Sequence, residues 1–451
     1  MTFESSKLLC SPPASPRRRF LRQGLTSGLG LGASWAGLAW SPAARAEEFR
    51  VEISGVGETQ IPIALPAFKN EDRSPVSLTA IIRADLERCG LFKLMDVGSI
   101  VLDDATRPAM AEWRTRATDA LLGGSVTKLA DGRFDIRYRL WDVVRGTELS
   151  AQSMAVTKDD LRQAAHRVAD DIYKRLTGER GIFSTRIAYV TKQGAQFALW
   201  VADADGEAAH ISVSSSEPII SPSWSPDGRE LAYVSFESRK AVVFIQDIAT
   251  GKRRQMANYR GSNSAPAWSP DGTQLTVTLS RDGASQLYLI NRNGGEVRRL
   301  TQSGAIDTES VWAPDGKTVY FVSDRGGSPQ IYRLTVADGN TERVTFQGAY
   351  NISPDISPDG RYLSYINRQG NVFRLTLLDL NTGVITALTE TGDDESPSFA
   401  PNSRMIMYST RVQGREVLMT TSLDGRIKSR LGGGASQADV REPVWGPLTV
   451  R

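Results

Sequence analysis

Histidine and cysteine are nearly missing from this chain, with two of each in 451 residues. Cys10 lies in a segment that reads as a removed leader, which leaves Cys89 alone. One thiol makes neither an intramolecular disulfide nor a multi-cysteine zinc site. His166 and His210 are too few for a histidine-rich metal centre and supply a histidine-based triad poorly. No Gly-x-Ser-x-Gly elbow occurs, and Gly123-Gly124 followed by Lys128 does not fit the spacing of a phosphate-binding loop. Much of enzymology is excluded on supply alone. What the chain has is 40 Gly and 21 Pro among 40% apolar residues, a turn-rich composition with enough apolar matter for real cores.

Residues 1–46 read as an export leader. Arg17, Arg18, Arg19, Phe20, Leu21 and Arg22 form a basic cluster, and a Gly/Ala/Leu-rich stretch follows from Gly24 to Trp40. Ala44-Arg45-Ala46 then offers a small-residue cleavage site after Ala46. The apolar stretch is too short and too rich in glycine to span a membrane. The basic cluster resembles a twin-arginine signal, with Pro16 where that signal has Ser or Thr. Six basic residues against Glu4 put +5 on the leader, so the chain's formal +3 becomes −2 for the remainder. The electrostatic case for nucleic-acid binding leaves with the leader.

The second half is organised by a repeat. Trp224-Ser-Pro-Asp-Gly228 recurs as Trp268-Ser-Pro-Asp-Gly272 and Trp312-Ala-Pro-Asp-Gly316. Weaker copies are Ile356-Ser-Pro-Asp-Gly360, Phe399-Ala-Pro-Asn-Ser403 and Trp445-Gly-Pro447, and the starts are 44, 44, 44, 43 and 46 residues apart. Ser-Pro-Asp-Gly puts Pro second and Gly fourth in a type I turn, with Asp able to bond its own backbone. Alternating strands follow, such as Leu231-Ala-Tyr-Val-Ser235 and Val319-Tyr-Phe-Val-Ser323. A second series of turns keeps step at Asp205-Gly206, Thr250-Gly251, Asn293-Gly294, Asp338-Gly339, Thr382-Gly383 and Asp424-Gly425. Four short strands per unit, repeating every 40–45 residues, are the signature of propeller blades. Residues 184–451 therefore predict an all-β six-bladed β-propeller. Its first unit lacks a first strand, and Glu442 to Val450 is a spare one, so the last segment is expected to close the ring.

Residues 47–180 predict a small α/β domain. Gln60 to Phe68 reads as a buried strand, and Leu78, Ile81, Ile82, Leu86 and Cys89 have helical spacing. Phe134 to Trp141 and Glu148 to Val156 pair as a hairpin around Arg145-Gly146. Leu161, Ala165, Val168, Ile172 and Leu176 mark an amphipathic helix with Thr157 as its expected N-cap, and Gly178 to Gly181 form a short linker. On that helix His166 is expected at an exposed or rim position. His210 is expected to pack in an outer strand of the first blade, and Cys89 to be a buried small hydrophobe. The turn carboxylates are whole blades apart and serve turns. No catalytic set, metal or cofactor is expected.

What remains is surface. Equivalent strand starts converge at one mouth of a propeller channel. Ser221-Pro222, Ala265-Pro266, Glu309-Ser310, Ser353-Pro354, Ser396-Pro397 and Glu442-Pro443 open the innermost strands there, preceded by Ile220, Ser264, Thr308, Ile352, Glu395 and Arg441. Such a mouth suits a polar partner segment.

These residues resemble the TolB family, periplasmic components of the Tol-Pal system, over nearly the whole mature chain. The likeness rests on the six-fold repeat, the preceding α/β domain, and the opening Phe49 to Val56 leading into Pro62 to Phe68. Peptidase propellers share the repeat but not the combination. The resemblance implies a non-enzymatic adaptor linking the outer-membrane lipoprotein Pal to TolA, and through it to TolQ and TolR, in support of outer-membrane integrity and cell division. It implies a Pal contact at Ser262, Asn263, Ser264, Ala265, Thr308 and Glu309, with Ser353, Glu395, Arg441 and Glu442 completing the mouth. It implies a TolA contact at Glu47, Glu48, Phe49, Arg50, Val51, Glu52 and Ile53. The competing reading is a periplasmic propeller that binds a small ligand or sugar in its channel.

Overall fold

The computed structural model describes residues 52–53, 60–432 and 438–448. The leader, its cleavage site at Ala46, and Glu47 to Val51 lie outside the described residues. No helix among those described is long and apolar enough to cross a membrane.

The chain enters as β1 (Glu52–Ile53), β2 (Ile61–Ala64) and β3 (Ala67–Phe68). α1 (Leu78–Arg88), β4 (Phe92–Leu94), β5 (Val101–Leu102) and α2 (Met110–Thr115) follow. β6 (Ala120–Lys128), β7 (Phe134–Asp142), β8 (Thr147–Val156) and α3 (Leu161–Thr177) complete the α/β region. The segment expected as one strand from Gln60 to Phe68 is broken into β2 and β3 around Pro66, which has no N–H for a ladder. Composition alone did not reveal β6, which is the centre of the mixed sheet β4-β2-β6-β7-β8. Its Gly123-Gly124 pair is a packing device: a Cβ on Gly124 would stand 2.8 Å from the Phe68 ring, and one on Gly123 2.8 Å from the Asp103 carbonyl.

Alternation along β6 sends Leu122 to a core with α1 and α3, and Leu121 to a second core with Met110, Trp113 and Trp141. Ser77 caps α1, its Oγ accepting from the Ala80 N–H. The expected cap of α3 is corrected: the residue before the helix is Asp160, and Thr157 instead donates its hydroxyl to the Asp160 carboxylate at 2.7 Å. α3 ends at Gly178, whose φ of 81° is the left-handed stop that glycine takes without strain.

The remaining strands form six antiparallel sheets. Blade 2 is typical, with Ile219–Trp224, Glu230–Ser235, Val242–Asp247 and Arg253–Ala257 in that order from the channel outwards. The first strands of successive blades contact one another around the ring, so they line the channel. At each turn the expected chemistry is present. Gly228 N–H bonds the Ser225 carbonyl at 2.8 Å, and the Asp227 carboxylate accepts from the Ser225 hydroxyl and the Arg229 N–H. Two of the preceding tryptophans staple blades together: Trp268 Nε1 donates to the Ser223 carbonyl at 3.2 Å and Trp224 Nε1 to the Val444 carbonyl at 3.3 Å.

Closure is achieved by Asp439–Trp445, which pairs antiparallel with Arg186–Gln193 to give blade 1 its innermost strand. The closing strand starts earlier than expected and ends at Trp445, because Gly446 turns the chain by donating to the Arg186 carbonyl at 2.7 Å and Pro447 follows. The α/β region sits on the end of the channel where the Pro-containing turns lie, touching blades 1 and 6. Arg404 pairs with Glu179, and the Asn402 amide donates to the Arg180 carbonyl at 3.2 Å. The linker is tied down as well, since the Asp170 carboxylate accepts from the Phe183 and Ser184 N–H groups at 2.7 and 3.1 Å.

Removing residues 439–451 strips Val440 and Trp445 from the core and opens the edge at Arg186–Gln193. A loss of about 4 kcal/mol or more is expected from the tryptophan and valine together, or roughly 10 °C of melting temperature for a domain of this size. Thermal unfolding of the truncated chain checks this, and an unchanged midpoint would contradict closure.

Candidate functional site: the propeller mouth and channel

Each innermost strand carries the same irregularity. Ser221, Ala265, Glu309, Ser353, Ser396 and Glu442 have φ between 46° and 53°, and the strand register shifts at each of them. These are β-bulges with a non-glycine residue in the left-handed region, which costs roughly 1–2 kcal/mol per residue. Sequence reading placed the six at strand starts. They lie inside the strands instead, one level down the channel wall from residues such as Ser264 and Thr308.

The bulge turns backbone N–H groups toward the neighbouring blade, and carboxylates answer them. Glu309 Oε2 accepts from the Ser353 N–H at 2.8 Å and from its hydroxyl at 3.2 Å, while Glu442 accepts from the Ser221 N–H. Asp355 repeats the arrangement further along, accepting from the Phe399 N–H at 2.6 Å. Glu309 and Glu442 belong to blades 4 and 1, opposite each other across the ring. Burial pushes the Glu442 carboxyl up to about 7, with Glu395 and Glu309 adding repulsion against the Ser221 N–H. Burial likewise raises Asp355 to about 7 and lifts Glu309 above the ordinary range. Sequence reading passed over Asp355, which directly precedes the weaker copy Ile356-Ser-Pro-Asp-Gly360. The turn end of the channel holds a cavity of about 360 Å³ bounded by Asp355, Phe399, Trp445 and Pro447.

The other residues expected at the mouth separate into classes. Ser262 is exposed, and Ser264, Ala265 and Thr308 are half-buried in the wall. Asn263 is corrected: it is fully buried, with its amide donating to the Ala241, Tyr259 and Gly261 carbonyls and its oxygen accepting from the Tyr259 N–H. It holds the entry loop and offers nothing to a partner. Glu395 is exposed, and Arg441 pairs with Glu416, which Arg411 also reaches at 3.0 Å. Ile306 and Phe346, 43% and 71% exposed, stand on the loops that enter blades 4 and 5. Sequence reading passed over both. Their signal was weak: an apolar residue inside a turn-like stretch, Gly304-Ala-Ile306 and Phe346-Gln-Gly348, instead of in an alternating strand.

Of the expected N-terminal contact segment, Glu52 and Ile53 are described. They form β1, a fifth strand on the outer edge of blade 6, opposite Lys428 and Ile427.

The histidines are both corrected. His210 is exposed on the outermost strand of blade 1. His166 is fully buried, with Nδ1 2.6 Å from Asp85 Oδ2. Asp85, His166 and Asp205 could bring three ligand atoms together. Both Asp85 oxygens are already engaged, however, one by His166 and one by Arg88 at 2.7 Å, and Arg162 holds Asp205. The donor set suits an ion-pair cluster better than a metal. Cys89 is buried as expected, and burial pushes its thiol up to about 12, far from a reactive thiolate.

Because Glu442 and Asp355 bind protons more tightly in the folded ring than in the unfolded chain, their contribution is fully present at acid pH. It is lost as pH rises from about 4.5 through about 7. A Glu442→Gln chain keeps an acceptor for Ser221. It should melt higher than wild type at about pH 8 and show a smaller gap between about pH 5 and pH 8. Melting curves at both pH values check this, and a gap of unchanged size would contradict it.

Residues 49–149 match the TolB amino-terminal domain family, and residues 173–449 match the TolB beta propeller domain family. The Tol-Pal system protein TolB of Polaromonas naphthalenivorans strain CJ2 is 67% identical over 410 residues, 91% of this chain and 95% of that one. The protein of the same name from Bordetella pertussis is 49% identical over 413 residues, 91% and 93% of the two chains. The crystal structure of TolB from Acinetobacter baumannii superposes with a TM-score of 0.81 at 36% identity, covering 89% of this chain and all of that one. Two domains in the same order, matched along nearly the full length in sequence and in space, place this chain in the TolB family.

Proposed function

We propose that the protein is a non-enzymatic periplasmic adaptor of the Tol-Pal system. In this reading the start end of its channel receives Pal, and its mature N-terminal segment, Glu47 to about Gly57, engages TolA. The observation that carries the first part is the ring of six left-handed, non-glycine residues around the channel. Strain of that kind persists where the surroundings over-determine it, and it concentrates at binding sites. Here it sets Ala265, Glu309 and Ser353 in a rigid wall just inside Ser264 and Thr308, so a partner loop meets a preorganised surface. Exposed Ile306 and Phe346 beside that polar mouth supply the apolar area the wall lacks.

The second part draws support from β1. A strand whose described residues, Glu52 and Ile53, lie on the outer edge of blade 6 can be exchanged for pairing with another chain, the mode of recognition in which an added strand supplies backbone hydrogen bonds. Through TolA the adaptor would reach TolQ and TolR, and its output would be outer-membrane integrity and invagination during division.

Thr308→Arg puts bulk and charge at the mouth while the bulge one residue on stays intact. Capture of Pal by the variant should fall at least about tenfold, or 1.4 kcal/mol, with the melting temperature unchanged. A quantitative pull-down beside wild type tests it. Undiminished capture by a folded variant would move the Pal site elsewhere.

A further inference from the structure

The seam between the α/β region and blade 1 is ionic at its centre. His166 of α3 is fully buried, its Nδ1 on Asp85 of α1 at 2.6 Å. Its Nε2 has no hydrogen-bond partner and faces Asp203 Oδ2 at 3.6 Å and Asp205 Oδ2 at 3.9 Å, both from the outer turn of blade 1. Arg88 of α1 holds the second Asp85 oxygen at 2.7 Å. Arg162 of α3 bridges Asp203, at 3.0 Å, and Asp205. Gln163 donates to the free Asp203 oxygen at 2.6 Å. Three carboxylates thus meet two guanidiniums, and an imidazolium balances the set. Glu207 from the blade, and Asp170 and Cys89 from the two helices, face the same cluster.

We propose that His166, in its charged form, is the keystone of an ionic latch that holds α1, α3 and the outer turn of blade 1 as one body. Loss of that charge frees the α/β region to part from the propeller while each stays folded. The proposal goes beyond the Pal and TolA reading and does not depend on it.

Two physical points favour a latch over a permanent weld. Removing one member of a buried ion cluster is costly because the rest are left uncompensated. Opening the seam returns every charge of the cluster to water, which offsets the lost pairing there, while the apolar core that crosses the seam beside it opposes opening. The latch also reaches blade 6. Two residues past Arg88, a Cβ on Gly90 would stand 2.4 Å from Ile427, one of the two residues facing β1, so the chain leaving α1 packs closely against blade 6 as well.

Burial by itself would lower the imidazole's affinity for its proton. Asp85 first, then Asp203 and Asp205, override it and lift the group from 6.5 to about 9. Asp205 stays ionised because Arg88, His166 and Arg162 outweigh its burial. The latch is therefore fully present below about pH 6.5 and is lost as pH rises through about 9.

The test uses the full chain, by calorimetry and by amide exchange at residues 85–90 and 203–207. Wild type at about pH 7 should melt in one joint transition. At about pH 10, and in His166→Leu at about pH 7, the two parts should melt separately and exchange in both segments should rise about tenfold or more. Arg404→Ala, which breaks an exposed pair at the same seam, should leave both readouts as in wild type. The double variant Asp85→Asn with His166→Gln removes one charge of each sign and should restore a joint transition that no longer changes between about pH 7 and 10. If His166→Leu melts and exchanges as wild type does, the latch is refuted. If that variant fails to fold, the double variant decides: a joint, pH-insensitive transition in it supports the latch, and a double variant that still uncouples at about pH 10 refutes it.

Discussion

The pairing of Asp439–Trp445 with Arg186–Gln193 is the interaction on which the remaining architecture rests. Without it, six sheets would stack in an open arc with two bare edges, and no strand would face another across a channel. With it, the first and last parts of the propeller share one sheet, and Trp445 joins the core that runs into the α/β region beside Phe183 and Tyr189. The closing strand therefore does two jobs. It completes a ring, and it fastens that ring to the domain in front of it. A hydrogen bond from the Trp445 indole to Thr185, at 2.9 Å, joins the final strand to the linker after α3.

Closure also makes strain affordable. A left-handed Ala or Glu in an isolated strand would straighten, since nothing opposes the steric gain. In the ring each bulge is held by strands on both sides, and two of the liberated N–H groups find carboxylates from the preceding blade, Glu309 and Glu442. The same geometry buries acidic groups in a narrow wall, and that burial raises their proton affinity. The channel mouth, the backbone strain and the carboxylate chemistry have one origin, the bulge repeated around a closed circle.

The opposite end of the ring is built on a different principle. There the α/β region is held through ion pairs, a capped linker and a shared apolar core, and His166 sits where all three meet. The two ends are thus unlike in kind: one is a preformed polar mouth with exposed Ile306 and Phe346 beside it, the other a buried seam of balanced charge. β1 lies at the margin of that seam, on the edge of blade 6, held by the pairing of Glu52 and Ile53.

The repeat period, the number of blades, the turn chemistry and the identity of the closing strand were all legible in the amino-acid order. Turn residues and two-residue alternation act over a few positions, so they can be read without knowing what lies nearby in space. β6 escaped because its two glycines look like a loop until Phe68 and Asp103 are seen crossing over them. His166 was misplaced for a related reason: its helix is amphipathic toward the sheet, while the polar flank is buried by Asp85, 81 residues away, and by a blade turn. Asn263 looked like a rim residue, yet the Ala241 carbonyl that it satisfies belongs to the previous blade. The sequence by itself determined which strands form and how many blades they make. Only the tertiary structure decided which side chains are strained, charged or hidden, because those properties belong to neighbours brought together from distant parts of the chain.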